Sequence, residues 1–202
     1  MKLIAATKNK GKLEEIAQIL AQFPYDVISM ARAGVKDEIE ETGSTFEENA
    51  LIKARGVWSI TGETVLADDS GLEVDYLGGA PGVQSARYAG PGATDEDKNN
   101  KLLDALSGVS ADKRTARFVC AIALVFPDGR SVMTRGTCEG VITFGAKGEN
   151  GFGYDPLFYV PEYGLTLAQM DSDTKNELSH RGKALRKLVE ILENEWLNHV
   201  ET

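Results

Sequence analysis

The chain has 202 residues, 42% of them hydrophobic, which is enough for a sizeable core in one domain of two lobes or in two small domains. It carries 31 Asp and Glu against 22 Lys and Arg, a formal net charge of −9. That balance argues against a nucleic-acid polymer as partner, because binding a phosphate backbone needs a positive surface, but a single nucleotide needs only a local basic site. Two cysteines, Cys120 and Cys138, have no CxxC spacing and fit a reducing cytoplasm. The opening MKLIAATKNK is too short an apolar run for a signal peptide or a membrane span, and no other stretch reaches membrane length.

Lys2 to Ala6 read as a first strand, followed by the polar loop Thr7-Lys8-Asn9-Lys10-Gly11-Lys12. Leu13, Ile16, Ala17 and Leu20 then fall at helical spacing on one apolar stripe. A strand, a basic glycine loop and a helix make an anion-binding arrangement, because the helix N-terminus offers free N–H groups and the positive end of its dipole. The first Gly and the Ser/Thr of a Walker A loop are missing, and a solvated basic turn is the plain alternative. Asp26 to Met30 suggest a second strand. Acids at 37–41 lead into an extended EIEETG run, and Thr45 with Glu48 forms a capping box for a helix that carries Asn49 and Lys53.

The stretch TVLADDSGLEVD, residues 64–75, predicts a buried strand that ends in two carboxylates. A turn at Ser70-Gly71 and a second extended segment are expected to follow. Side chains alternate faces along a strand, so Asp68 and Asp69 are expected to point apart unless the chain bends between them, one facing a cleft and the other bracing the turn or reaching the same ion from behind. Acids placed this way suit Mg²⁺, which prefers carboxylates, water and phosphate oxygens. The same residues also suit a solvated Asx-turn. The Gly- and Pro-rich residues 78–94 read as a long irregular loop, and Thr94 caps a helix over 94–107 with Leu102, Leu103 and Leu106 inward. Residues 114–126 alternate, with Ala116, Phe118, Cys120, Ile122, Leu124 and Phe126 on one face, and 131–143 return as the second strand of a hairpin. GENGFGYDP, residues 148–156, is a glycine-rich turn that lets backbone approach a ligand closely. Asp171 or Ser172 starts a short helix, Ser179-His180-Arg181-Gly182 breaks and restarts it, and Leu185, Leu188, Val189, Leu192 and Trp196 form the stripe of a last helix. With only His180 and His199, a His/Cys zinc site is implausible.

TKNKGK, EETG, ADDSGL, LGGAPGVQSARYAG, GFGYDP and SHRGKAL occur in this order across nearly the whole chain. In this the sequence resembles the inosine triphosphate pyrophosphatase family, also called XTP/dITP diphosphatases. The resemblance implies an α/β fold over residues 1–202, with a long mixed twisted sheet flanked by helices and two lobes around a central cleft. It implies a cytoplasmic homodimer that uses Mg²⁺ to hydrolyse ITP, dITP and XTP to monophosphate and pyrophosphate, keeping deaminated purines out of DNA and RNA. Carried over by position, Thr7, Lys8, Asn9, Lys10, Gly11 and Lys12 would cradle the phosphates, and Glu40, with Glu41 as the second choice, and Asp69 would bind the metal. Asp69 would also accept the proton of the attacking water, and Ser70 would touch the nucleotide. Phe152, Gly153, Tyr154 and Asp155 would meet the base, and Lys175, His180 and Arg181 would close over base and phosphate. Arg181 and the backbone N–H groups of Gly151–Asp155 only donate hydrogen bonds, so they are expected to favour a 6-keto over a 6-amino group. The plain alternatives are a surface position for Lys175, a helix-cap role for His180 and a core position for Phe152. The other readings are a nucleotide-binding sensor without turnover, and a pyrophosphatase for other modified nucleotides.

Overall fold

A computed structural model describes residues 1–36 and 39–200, with side chains through Glu193; Asp37, Glu38 and the side chains of Trp196 and His199 lie outside the described residues. Seven strands form one open mixed sheet in the order β2-β1-β3-β4-β5-β6-β7. These are β1 (Lys2–Ala5), β2 (Asp26–Ser29), β3 (Thr64–Val74), β4 (Thr115–Val125), β5 (Ser131–Ile142), β6 (Phe158–Val160) and β7 (Leu165–Thr166). β1 pairs parallel with β2 and β3, whereas β6 pairs antiparallel with β5 and β7. The helices are α1 (Lys10–Ile19), α2 (Phe46–Thr61), α3 (Asp95–Ala105), α4 (Ser172–Leu178) and α5 (His180–Val200). Among the described residues no helix is long and apolar enough to cross a membrane.

The chain contributes to two compact units. The first comprises residues 1–69, 120–136 and 180–202. Its core joins Leu3 and Ala5 of β1, Leu66 of β3 and Cys120, Ile122 and Leu124 of β4 to Ile16 and Leu20 from the α1 region and to Leu185, Leu188, Val189 and Leu192 of α5. The second comprises residues 70–119 and 137–179. There Leu72 and Val74 of β3 and Phe118 of β4 pack with Leu102, Leu106, Phe158 and Leu178. The Phe118 and Phe158 rings stand 4.6 Å apart at a tilt. Arg114 is buried in this unit, and its guanidinium donates to the carbonyls of Leu106, Ile142 and Thr143.

Three local expectations change. The helix expected after Lys12 begins inside the basic loop, because Asn9 caps it by accepting from the Lys12 N–H at 3.1 Å. β3 runs unbroken through Ser70 and Gly71, so the two acids sit in mid-strand. Gly71 is absent from the glycines with positive φ, and backbone that stays extended there continues the ladder. β4 is buried on both faces from Phe118 onward, since Val119, Ala121 and Ala123 are as inaccessible as the alternate set. A strand covered on both sides carries apolar residues at every position, and the alternation of large and small side chains there gave one face only.

β5 approaches the start of α5 at Gly136. A Cβ added there would lie 2.1 Å from the His180 carbonyl oxygen and 2.6 Å from the Ala184 nitrogen. Thr134, two residues earlier, donates its hydroxyl to the Ala184 carbonyl at 2.9 Å. Gly136→Ala must therefore push β5 off the helix backbone, and we expect a loss of about 1–3 kcal/mol or more, read as a lower urea midpoint. Wild-type stability in this variant would show that the strand–helix contact can open without penalty.

Candidate active site

Residues of alternate parity on β3 face opposite sides of the sheet. Leu66 belongs to the core shared with α1 and α5, and Asp68 has the same parity. Its carboxylate, almost inaccessible, receives Lys12 Nζ of α1 at 2.9 Å and Arg181 Nε of α5 at 3.2 Å. The same guanidinium donates through Nη1 to Glu15 of α1. Burial pushes the Asp68 carboxyl up, but Lys12, Arg181 and Lys53 outweigh it and hold the group far below the ordinary carboxylate range.

Asp69 has the other parity and meets α2. Asn49 Nδ2 donates to Asp69 Oδ2 at 3.1 Å, while Asn49 Oδ1 accepts from the Gly43 N–H at 2.8 Å. One buried amide thus ties the acid to the segment before the helix. That segment comes so close that a Cβ on Gly43 would lie 2.6 Å from Glu48 Cβ and 2.7 Å from Asn49 Oδ1. Lys53, one turn beyond Asn49, donates to the Asp68 carbonyl at 2.9 Å and to Glu41 at 2.5 Å. Asp69 titrates above its ordinary value: burial raises it, Lys53 and Asn49 pull it down, and the Glu41 carboxylate pushes it up again. Glu41 is half-buried, whereas Glu40 is exposed. Of these two neighbours it is Glu41 that stands close enough to Asp69 to be felt electrostatically.

Thr7 Oγ1 accepts from the Asn9 N–H at 3.1 Å, so Thr7 and Asn9 shape the start of α1. Lys8 and Lys10 are exposed and Gly11 is half-buried. The N–H groups of the first helical turn lack intrahelical acceptors by helix geometry. Lys12 is engaged by Asp68, and His180 and Arg181 are buried at the head of α5.

In the second unit, Ser70 continues β3, half-buried. The Phe152 N–H donates to Asp155 Oδ2 at 2.9 Å, and Lys175 Nζ of α4 donates to the same oxygen at 2.8 Å. That ammonium stands 4.7 Å from the centroid of the Phe152 ring, which is 37% exposed. The Gly153 N–H is bound to Asp95 Oδ2, and the buried Tyr154 hydroxyl donates to the Ser85 carbonyl at 2.8 Å. The donors expected to read the base are therefore already engaged in part: Arg181 by two acids of its own unit, and two of the turn amides by carboxylates.

Asn49 was visible in the sequence only as a helix residue. Its spacing of four from Lys53 on a capped helix is the signal that both share a face. Asp95 was not singled out in the sequence, because its bond to Gly153, 58 residues away, leaves no local trace.

The Asp68 network makes a prediction about acid. A carboxyl with a depressed folded pKa adds stability that is fully present above its unfolded value, 3.8, and is lost as pH falls toward the folded value. Asp68→Asn leaves Arg181 with one acid fewer in a buried site and should cost about 3–5 kcal/mol at pH 7. The gap between wild type and variant, from urea titrations, should shrink between about pH 4 and pH 2. A gap that stays constant with pH would mean that Asp68 is not ionised in the folded protein.

The profile of the Ham1 family matches residues 3–191. The chain is 54% identical over 198 residues to a dITP/XTP pyrophosphatase of Desulforamulus reducens, covering 98% of each sequence. It is 52% identical over 196 residues to a dITP/XTP pyrophosphatase of Listeria monocytogenes, covering 95% of this chain and 97% of the relative. Among solved structures, the Ham1 protein of Staphylococcus aureus superposes with a TM-score of 0.88 at 43% identity, covering 96% of this chain and all of the other. A HAM1 protein of Coxiella burnetii gives 0.89 at 43% identity, covering 96% and 99%. With the profile spanning nearly the whole described chain and relatives above half identity, this protein belongs to the Ham1 family.

Proposed function

We propose that this protein is a nucleoside triphosphate pyrophosphatase that hydrolyses dITP, XTP and ITP to the monophosphate and pyrophosphate. On this reading it keeps these nucleotides out of DNA and RNA, and works in the cytoplasm as a homodimer. The names of its relatives support the substrate class. The observation that carries the chemistry is the carboxylate pair Asp69 and Glu41, with Lys53 bridging from Glu41 to β3.

This donor set fits Mg²⁺. It offers hard oxygen ligands, and Asp69 is raised by burial and by a second carboxylate, a strain that a divalent cation relieves. Among the described residues no group of three or more His, Cys, Asp or Glu gathers; one or two carboxylates completed by water and phosphate oxygens is a usual Mg²⁺ arrangement. We assign the ion to Asp69 and Glu41 in preference to the exposed Glu40. Bound there, Mg²⁺ would neutralise triphosphate charge and lower the pKa of a coordinated water. Asp69, oriented by Asn49, accepts a proton from the water that attacks the α-phosphorus. Lys53 holds Glu41 in place. Lys8, Lys10 and the first-turn amides of α1 favour the negative charge of the phosphates and of the leaving pyrophosphate.

For the base we assign Phe152 as the stacking face and the Lys175–Asp155 pair as the reader. A donor beside an acceptor matches the 6-keto oxygen and N1–H of hypoxanthine or xanthine. Adenine presents the reverse, a 6-amino donor and an N1 acceptor, so each group would face its like.

Two outcomes follow. Asp69→Asn should lower kcat by about 10²–10⁴ without lowering Tm, because folding no longer buries a carboxylate whose pKa is raised. A kcat near wild type would remove Asp69 from the reaction. A panel measuring pyrophosphate release with and without Mg²⁺ should give kcat/KM for ITP and XTP well above ATP, and Lys175→Met should narrow that ratio by about 5- to 150-fold, the range for one buried mismatch. Equal wild-type kcat/KM on ATP and ITP would overturn the substrate assignment.

A further inference from the structure

Helix α3 grips one backbone residue of the loop 151–155 by both of its polar groups. The Gly153 N–H donates to Asp95 Oδ2 at 2.7 Å, and the Gly153 carbonyl accepts from Asn99 Nδ2 at 3.0 Å. Asp95 and Asn99 are four residues apart, so they stand one above the other on the same helix face. Lys98 steadies the grip from the side, with Nζ 2.6 Å from Asp95 Oδ1. Gly153 has φ +62°, a conformation favoured by glycine, and it lies directly between Phe152 and Tyr154. Fixing its peptide planes sets the direction of the chain on either side, and with it the Phe152 ring.

Packing holds the far end of the loop, where Tyr154 is buried in the core, but not Gly153, beside which an added Cβ would meet nothing within 4 Å. A cavity of about 410 Å³ lies beside it, lined among others by Asn99, Leu103, Gly151, Phe152 and Leu157. At Phe152 and Gly153 the loop therefore has room to move, and hydrogen bonds keep that part in place. Asn99 is also an expensive residue to bury: it is 9% exposed, and its Oδ1 has no hydrogen-bond partner among the described residues. An unmatched buried acceptor destabilises the fold, and leucine would occupy a similar volume without that penalty. What asparagine supplies and leucine does not is the bond to the Gly153 carbonyl.

We propose that Asp95 and Asn99 are positioning residues that set the base seat at Phe152–Asp155 and thereby the discrimination between nucleobases. The inference rests on the assignment of that loop to the base. The clamp touches the loop backbone and no residue assigned to the phosphates, so its loss changes base ranking and leaves phosphate affinity alone.

The experiment compares wild type with Asn99→Leu, Asp95→Ala and the conservative Asp95→Asn. For Asn99→Leu, KM for ITP should rise about tenfold, the scale of one lost hydrogen bond. We expect kcat to change much less and the ITP-to-ATP ratio of kcat/KM to narrow. Competitive inhibition by tripolyphosphate should stay at the wild-type value. Amide hydrogen exchange at residues 152–155 should quicken, while Tm holds or rises because the orphaned oxygen is gone. Asp95→Asn keeps an acceptor for the Gly153 N–H and should fall between wild type and Asp95→Ala. If the variants keep the wild-type ratio and loop protection, or lose tripolyphosphate inhibition in step with ITP, the positioning role is overturned while the proposed function stands. If wild type itself shows no preference for ITP over ATP, the proposed function falls and the inference falls with it.

Discussion

A single buried carboxylate organises the first unit. Asp68 draws Lys12 from α1 and Arg181 from α5 onto one oxygen, and its own backbone carbonyl takes Lys53 from α2. Three helices far apart in sequence are thus registered against the same residue of β3. Such an arrangement is costly to desolvate, and replacing a buried ion network with apolar residues is often neutral or favourable for stability. Its value here is geometric. The charges fix where α1 starts and where α5 starts, and those two helix heads carry Lys8, Lys10, His180 and Arg181.

The neighbour of that residue has the opposite character. Asp68 is held ionised by the cations around it, while Asp69 is pushed toward its protonated form by burial and by Glu41. Two adjacent aspartates reach these opposite states because a strand sends them to opposite faces. Environments that drive titratable groups apart are how proteins assign different tasks to the same side chain. The structural acid anchors the strand, and the strained acid on the other face is left to respond to a cation or a proton.

Much of this was legible in the sequence. The capping boxes at Thr45 and Thr94, the stripe Leu185–Leu188–Val189–Leu192 and the split between α4 and α5 all follow from local chemistry, and all are present. The divergence of Asp68 and Asp69 followed from strand parity alone. Three features were not legible. Ser70-Gly71 carries turn-forming residues, yet pairing with neighbouring strands keeps β3 extended, a tertiary effect that overrides local preference. Arg181 offers donors in the abstract, but the acids that engage it lie 113 and 166 residues away. The preference for Glu41 over Glu40 beside Asp69 depends on which way an irregular segment turns, and no periodicity encodes that.

The first unit is assembled from residues 1–69, 120–136 and 180–202, and this interleaving bears on how the protein is made. Leu3, Ile16, Leu20 and Leu66 emerge from the ribosome before the α5 residues that cover them, which begin at Ala184 and Leu185. At ordinary elongation rates the interval from Leu66 to Leu185, 119 residues, is about 6–24 s. Throughout it the nascent chain carries an apolar face without its lid, and Asp68 has met Lys12 but not Arg181. Residues 181–192 therefore complete both the earliest part of this core and its central charge balance. A ribosome that stalls anywhere before α5 leaves a chain in which neither is finished, and such chains are natural clients for chaperones or proteases.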